Sequence, residues 1–184
     1  MQTISSLNSK IESQCEVSQL NYLKIDNCNM NNGDGLRCVV WVTGCEHRCK
    51  GCFNPETWDN KNGDKWTALQ GSEILTTLVQ DWCSGITFTG GDPLHPCNRK
   101  EVLDLCDYIK NTFHKSVWVY TGYKYEELDT SQLKNIDVLV DGEFIQEQLS
   151  PFKHWVGSSN QRIIDVKKSI KQNKVILYKG GYND

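Results

Sequence analysis

The sequence contains no apolar run near the roughly 18 residues that a membrane-spanning helix needs. Its first segment, MQTISSLNSKIESQCEVSQL, lacks the apolar stretch of a secretory signal. No repeat, low-complexity block or interdomain linker interrupts the chain. Basic charge is not in excess: 20 Lys and Arg face 23 Asp and Glu, for a formal net charge of -3. No general positive field is therefore available to hold nucleic acid. Neither a membrane nor a nucleic acid is expected as a partner. Cysteine, by contrast, is abundant, with nine copies. An odd count without a signal peptide does not suit a disulfide framework. A reducing cytoplasm fits better, and there cysteine serves as a small buried hydrophobe or as a metal ligand.

The 184 residues are 38% hydrophobic and 23% charged, which predicts one soluble globular domain with a core of its own. Residues 1–20 read as a polar, serine-rich extension, poorly ordered or else a short docking helix. Residues 21–184 read as a single domain. Within it, segments 37–42 (RCVVWV), 85–89 (GITFT), 116–120 (SVWVY) and 137–140 (DVLV) are short and rich in β-branched or aromatic residues, and predict strands. Segment 72–82 has Ile74, Leu75, Leu78, Val79 and Trp82 at helical spacing, with Ser72 as N-cap. Asn98 and Glu101 have capping-box-like spacing ahead of a stripe of Val102, Cys106, Ile109 and Phe113. Segment 125–134 reads as helical, 161–166 and 175–178 as strands, and the basic run 167–174 as a solvated face. Strands alternating with helices predict an α/β fold with a mainly parallel sheet. Ligands collect beyond the carboxyl ends of such strands. The four expected strands are followed by Thr43-Gly44-Cys45, Gly90-Gly91-Asp92-Pro93, Thr121-Gly122-Tyr123 and Asp141-Gly142-Glu143, so these segments are expected to build one site.

Cys45, Cys49 and Cys52 have the spacing C-x3-C-x2-C and can wrap one metal centre. A structural zinc site wants four ligands, and His47 inside the loop is a candidate fourth. No second CxxC or HxxxH pair accompanies the loop, however. Ferredoxin clusters take four cysteines, whereas Cys28 and Cys38 lie upstream without motif spacing. Three thiols without an obvious fourth suggest a cubane with one iron left open, and a zinc knuckle stays open as the alternative. Gly90-Gly91 lets main chain approach a ligand, whereas Asp92-Pro93 also suits a helix N-cap and first turn. His47 and His95 read as local hydrogen-bonders, and Cys15, Cys28, Cys83, Cys97 and Cys106 as packing residues or chance occurrences.

The stretch TGCEHRCKGCFN resembles the cluster loop of the radical S-adenosylmethionine superfamily. That superfamily usually carries an aromatic residue before the third cysteine. Here that position is Gly51 and the aromatic follows as Phe53, a pattern similar to the small activases of anaerobic ribonucleotide reductase. Gly90-Gly91-Asp92-Pro93 resembles the motif that holds the methionine amino group, with Asp in place of the commoner Glu. Asn32 to Gly35, Tyr120 to Tyr123, Asp137 to Gly142 and Gly157 to Arg162 resemble the same subgroup, so that the likeness runs over roughly residues 21–166. The resemblance implies a partial (βα) barrel of mainly parallel strands. It implies a [4Fe-4S] cluster on Cys45, Cys49 and Cys52, with the open iron chelated by S-adenosylmethionine. The cofactor contacts it implies are Gly51, Cys52, Phe53, Gly90, Gly91 and Asp92, with no catalytic side chain beyond cluster and cofactor. It further implies reductive cleavage of that cofactor, hydrogen abstraction from a glycine of the reductase large subunit, and a flavodoxin-like electron donor. An activase of the pyruvate formate-lyase type and a non-enzymatic electron-transfer or zinc-binding module are the competing readings.

Overall fold

A computed structural model describes residues 20–180. Residues 1–19, with Cys15 and nearly all of the expected extension, lie outside the described residues. Leu20, counted with the extension, is a core residue with no exposed surface, and its carbonyl accepts from Trp66 N at 2.9 Å.

The chain runs β1 (Asn21–Asn29), β2 (Arg37–Val42), β3 (Asp64–Lys65), α1 (Ala68–Leu78), β4 (Gly85–Gly90), α2 (Arg99–Phe113), β5 (Ser116–Tyr120), β6 (Val138–Asp141), β7 (Arg162–Asp165) and α3 (Val166–Gln172). The strands form one seven-stranded sheet in the order β3-β1-β2-β4-β5-β6-β7. The middle four, β2, β4, β5 and β6, are parallel and in unbroken register, with Val40 beside Phe88 and Phe88 beside Val119. β1 and β3 add antiparallel to one side and β7 antiparallel to the other. The α/β class and the parallel centre agree with the sequence pattern. The antiparallel flanks are additions, and β1 carries too many Asn and Asp residues to read as a strand.

Strand alternation sorts the core into two faces. Cys38, Val40, Val42, Ile86, Phe88, Val117, Val119 and Leu139 meet Ile74 and Leu78 of α1 and Val102, Cys106 and Ile109 of α2. Each such aliphatic side chain contributes about 1.5–3 kcal/mol through burial. The intervening residues Trp118, Val138 and Val140 face the other way, against Tyr120, Trp155, Val156, Ile163 and Tyr178. Arg37 is buried on that second face. Its guanidinium donates to Thr87 Oγ1, Ser116 Oγ and the carbonyls of Asp34, Ile86 and Ser116, and lies 5.3 Å from the Trp118 ring centre.

Several local expectations need correction. The first helix begins at Ala68, capped by Thr67 with Gln70 completing a capping box, so Ser72 lies inside it. Val79 and Trp82 fall past its end and are 59% and 46% exposed. Asn98 makes no side-chain cap; its amide instead donates to the carbonyls of Thr43 (2.8 Å) and Asp92 (2.9 Å). Tertiary hydrogen bonds at the sheet rim outcompete the local one. Asp92-Pro93 starts no α-helix, because Asp92 Oδ1 accepts from Leu94 N in a tight turn and the helix waits until Arg99. Segment 125–134 forms two 3₁₀ turns, Tyr125–Glu127 and Thr130–Leu133, interrupted where Asp129 caps the second. The basic run 167–174 is the solvated face expected, exposed except at Ser169 and mostly folded as α3, whereas 175–178 contributes only the bridge of Leu177 to Ile164. No helix among the described residues is long and apolar enough to cross a membrane.

Candidate functional site

β2, β4, β5 and β6 deliver their following segments to one rim of the sheet. A cavity of about 310 Å³ opens there. Cys45, Cys49 and Cys52 line it, together with Gly90 and Gly91, Thr121 and Gly122, and Gly142 and Glu143. The four post-strand segments therefore meet as the βα rhythm anticipates. Asn31 and Asn32 join them because their segment crosses the second face of the sheet, where Thr87 Oγ1 donates to Asn32 O at 2.8 Å.

The cysteine loop leaves β2 through main-chain bonds from Gly44 N to Thr57 O (2.7 Å) and from Cys45 N to Trp58 O (3.1 Å). Cys52 N closes a turn on Cys49 O at 3.2 Å, and Asn54 N donates to the Cys52 sulfur at 3.4 Å. Gly51 has φ +72, and a Cβ there would lie 2.8 Å from the Gln146 side chain. An aromatic residue at that position would strain the left-handed backbone and displace the Gln146 side chain; here the aromatic follows the third cysteine as Phe53. Phe53 packs on Phe144 with ring centres 5.0 Å apart and is 65% exposed at the rim. Every described cysteine is a free thiol. Burial raises Cys45 to about 11 and also raises Cys49. A bound cation reverses such shifts, since it favours the thiolate.

Of the sequence-derived contacts, Cys52, Phe53, Gly90 and Gly91 line the cavity, whereas Gly51 and Asp92 do not. Asp92 is buried behind the wall and accepts from Leu94 N, Thr121 Oγ1, Gly122 N and His47 Nε2. His47 does line the cavity, and its hydrogen bond to Asp92 holds its pKa above the usual histidine value. Tyr123 stands outside the lining and donates its hydroxyl to Glu46. In the Gly157 to Arg162 loop, Gln161 accepts from Gly157 N and Ser158 N and donates to Gly142 O, stapling the loop to the segment after β6. Arg162 forks onto Glu126 and Asp141.

Residues 31–164 match the family described as a 4Fe-4S single cluster domain. The anaerobic ribonucleoside-triphosphate reductase-activating protein of enterobacteria phage T4 is 42% identical over 146 residues, covering 78% of this chain and 93% of that protein. The protein of the same name from Vibrio cholerae is 43% identical over 150 residues, with coverage of 78% and 97%. That from Escherichia coli K12 is 40% identical over 148 residues, with coverage of 77% and 96%. The chain belongs to this family of anaerobic ribonucleoside-triphosphate reductase-activating proteins.

An iron–sulfur cluster fits the donor set of this family member. In a cubane each thiolate binds a different iron, so three thiols must line one cavity rather than converge on one point. Cys45, Cys49 and Cys52 do line one cavity. The Tyr120 hydroxyl is buried in the same wall without a hydrogen-bond partner among the described residues. Trp58, Phe144, Trp155 and Val156 add apolar side chains to the wall. Sequence reading overlooked these four, because Trp58, six residues past Cys52, Phe144, three past the end of β6, and Trp155 and Val156 all sit in segments that read as ordinary loop. The positive φ of +59 at Trp155 is a structural signal that no sequence pattern announces.

Proposed function

We propose that this protein is a radical S-adenosylmethionine activase that generates the glycyl radical of an anaerobic ribonucleotide reductase large subunit. Cys45, Cys49 and Cys52 would hold a [4Fe-4S] cluster by three irons, leaving the fourth for the amino and carboxylate groups of S-adenosylmethionine. The observation that carries this reading is the meeting, in one cavity, of three thiols from one loop with the bare main chain of Gly90 and Gly91. Cluster and cofactor together supply one-electron reductive cleavage of the sulfonium S–C5′ bond, and with it a radical able to remove hydrogen from a glycine Cα.

The chain's own residues do the rest. Gly90 and Gly91 let main chain approach the methionine end of the cofactor. Trp58, Phe144, Trp155 and Val156 give the cavity apolar walls that keep water from a reactive intermediate. Tyr120 offers a hydroxyl whose hydrogen bond is still to be made. The reading includes a partial (βα) barrel, and Thr89, Gly90 and Tyr120, which line the cavity, would belong to its inner wall. It also includes a flavodoxin-like electron donor, a reducing cytoplasm, and residues 21–184 acting as one domain.

The test is product formation. Anaerobic protein is reconstituted with iron and sulfide, reduced, and given S-adenosylmethionine; 5′-deoxyadenosine and methionine are then quantified. Both are expected from the wild type and neither from Cys49→Ala, whose iron content should fall with the lost ligand. A reduced, fully loaded wild type that makes neither product, even with the large subunit present, would sink the reading.

A further inference from the structure

Asp92 stands where the commoner motif has Glu, and its surroundings show what the shorter side chain does. It is 1% exposed. Its carboxylate accepts from Leu94 N at 2.8 Å, Thr121 Oγ1 at 2.9 and 3.0 Å, and Gly122 N at 3.0 Å. These bonds tie the segment after β4 to the segment after β5. The remaining bond, 2.8 Å from His47 Nε2, reaches the middle of the cysteine loop. An ionised carboxylate has no hydrogen to give, so His47 is the donor. The other ring nitrogen lies 3.3 Å from Glu143 Oε1, on the segment after β6. The imidazole packs edge-on to Tyr123 at 4.7 Å and so closely on Gly122 that a Cβ there would lie 2.4 Å from the ring.

One side chain from between Cys45 and Cys49 is thus held by all three neighbouring strand ends. Main-chain bonds hold the base of the loop at Gly44 and Cys45, whereas the side-chain pair beyond Cys49 uses exposed groups. Lys50 and Glu147 are 78% and 67% exposed, and such pairs contribute little. Between Cys45 and Cys52 the loop bends through positive φ at Arg48 and Gly51.

The geometry points to His47, anchored by Asp92, as a positioning residue that registers the thiol-bearing loop against Gly90 and Gly91, the two surfaces S-adenosylmethionine must bridge. This rests on the activase reading above. His47 touches neither reacting bond; it acts by setting the distance between two half-sites. Substitution of His47 leaves the three cysteines in place, and Asp92 keeps its donors Leu94, Thr121 and Gly122, so the fold and the thiol set survive.

The test uses the full-length protein, reconstituted anaerobically, with His47→Ala, His47→Gln and His47→Asn. Glutamine places an amide N–H near the Nε2 position and keeps the bond to Asp92; asparagine reaches only the Nδ1 position. Iron and sulfide are counted, and S-adenosylmethionine is titrated while the electron paramagnetic resonance spectrum of the reduced cluster is followed. Iron content should match wild type in all three variants. The dissociation constant should rise about ten- to a hundredfold in His47→Ala, recover largely in His47→Gln, and stay high in His47→Asn. An unchanged constant in His47→Ala would overturn the inference, as would rescue by asparagine but not glutamine. Iron lost from both His47→Ala and His47→Gln would make His47 part of cluster assembly and overturn it too. A wild type that makes no 5′-deoxyadenosine would sink the activase reading and this inference with it. Variants that match a working wild type would sink only the role of His47.

Discussion

Replacing Gly91 with alanine tests whether the glycine segment and the cysteine loop are rigidly stacked. An ideal Cβ at Gly91 would lie 2.7 Å from Gly44 O, 2.9 Å from Thr57 O and 3.1 Å from Gly44 C. All three are main-chain atoms, so no side chain can rotate aside. The stack is also hydrogen-bonded: Gly91 N donates to Val42 O, Asp92 N to Gly44 O and Gly44 N to Thr57 O, at 2.8, 2.8 and 2.7 Å. The methyl group must force the two segments apart by roughly half an ångström to reach ordinary contact. Overpacking of this kind costs about 1–3 kcal/mol, and loss of the Asp92–Gly44 bond about 1 more. The sum, about 2–4 kcal/mol, should lower Tm by about 5–15 °C for a chain of this size. Gly71 supplies the control. It lies inside α1 with nothing within 4 Å of a Cβ, so alanine there should stabilise by about 0.5–1 kcal/mol. Calorimetry on anaerobic apo-protein reads both variants without any cluster. If Gly91→Ala melts within about 2 °C of Gly71→Ala, the stack is pliable and the reasoning fails. Because Gly44 adjoins Cys45, Gly91→Ala should also lose iron on reconstitution.

Arg37→Met should cost about 3 kcal/mol in urea titration, because the carbonyls of Asp34, Ile86 and Ser116 lose their donor. Burial already lowers the Arg37 guanidinium to about 10, and a loss under about 1 kcal/mol would mean that water reaches those carbonyls. The fork from Arg162 lowers Glu126 to about 2 from an ordinary value of 4.5. A carboxylate depressed in the folded state stabilises above its unfolded pKa and loses that stabilisation as pH falls through the folded one. Glu126→Gln should therefore be less stable than wild type at pH 7, by under about 1 kcal/mol because the carboxylate is half exposed. The gap should close between about pH 4.5 and 2; a gap that persists at the lower limit would show that the fork acts by shape rather than charge.

Legible in the residues alone were the strands of the parallel centre, their order of appearance, and the loop that carries Cys45, Cys49 and Cys52. These are local properties: β-branched runs of strand length, and thiols so near in the chain that any fold keeps them together. From the strand-then-helix rhythm it also followed that the segments after β2, β4, β5 and β6 share one rim. The tertiary structure decided the rest, because the deciding contacts join residues far apart in sequence. Asn98 has the spacing of a helix cap, yet the free carbonyl of Thr43, 55 residues away, takes its amide instead. Asp92 has the local pattern of a helix start, yet four donors from three segments turn it into a buried anchor behind the cavity. Trp58 and Trp155 became cavity wall only because the sheet brought their loops over the strand ends. A polar group near a strand end takes whichever partner the assembled rim presents, and burial makes that choice stronger than any local preference.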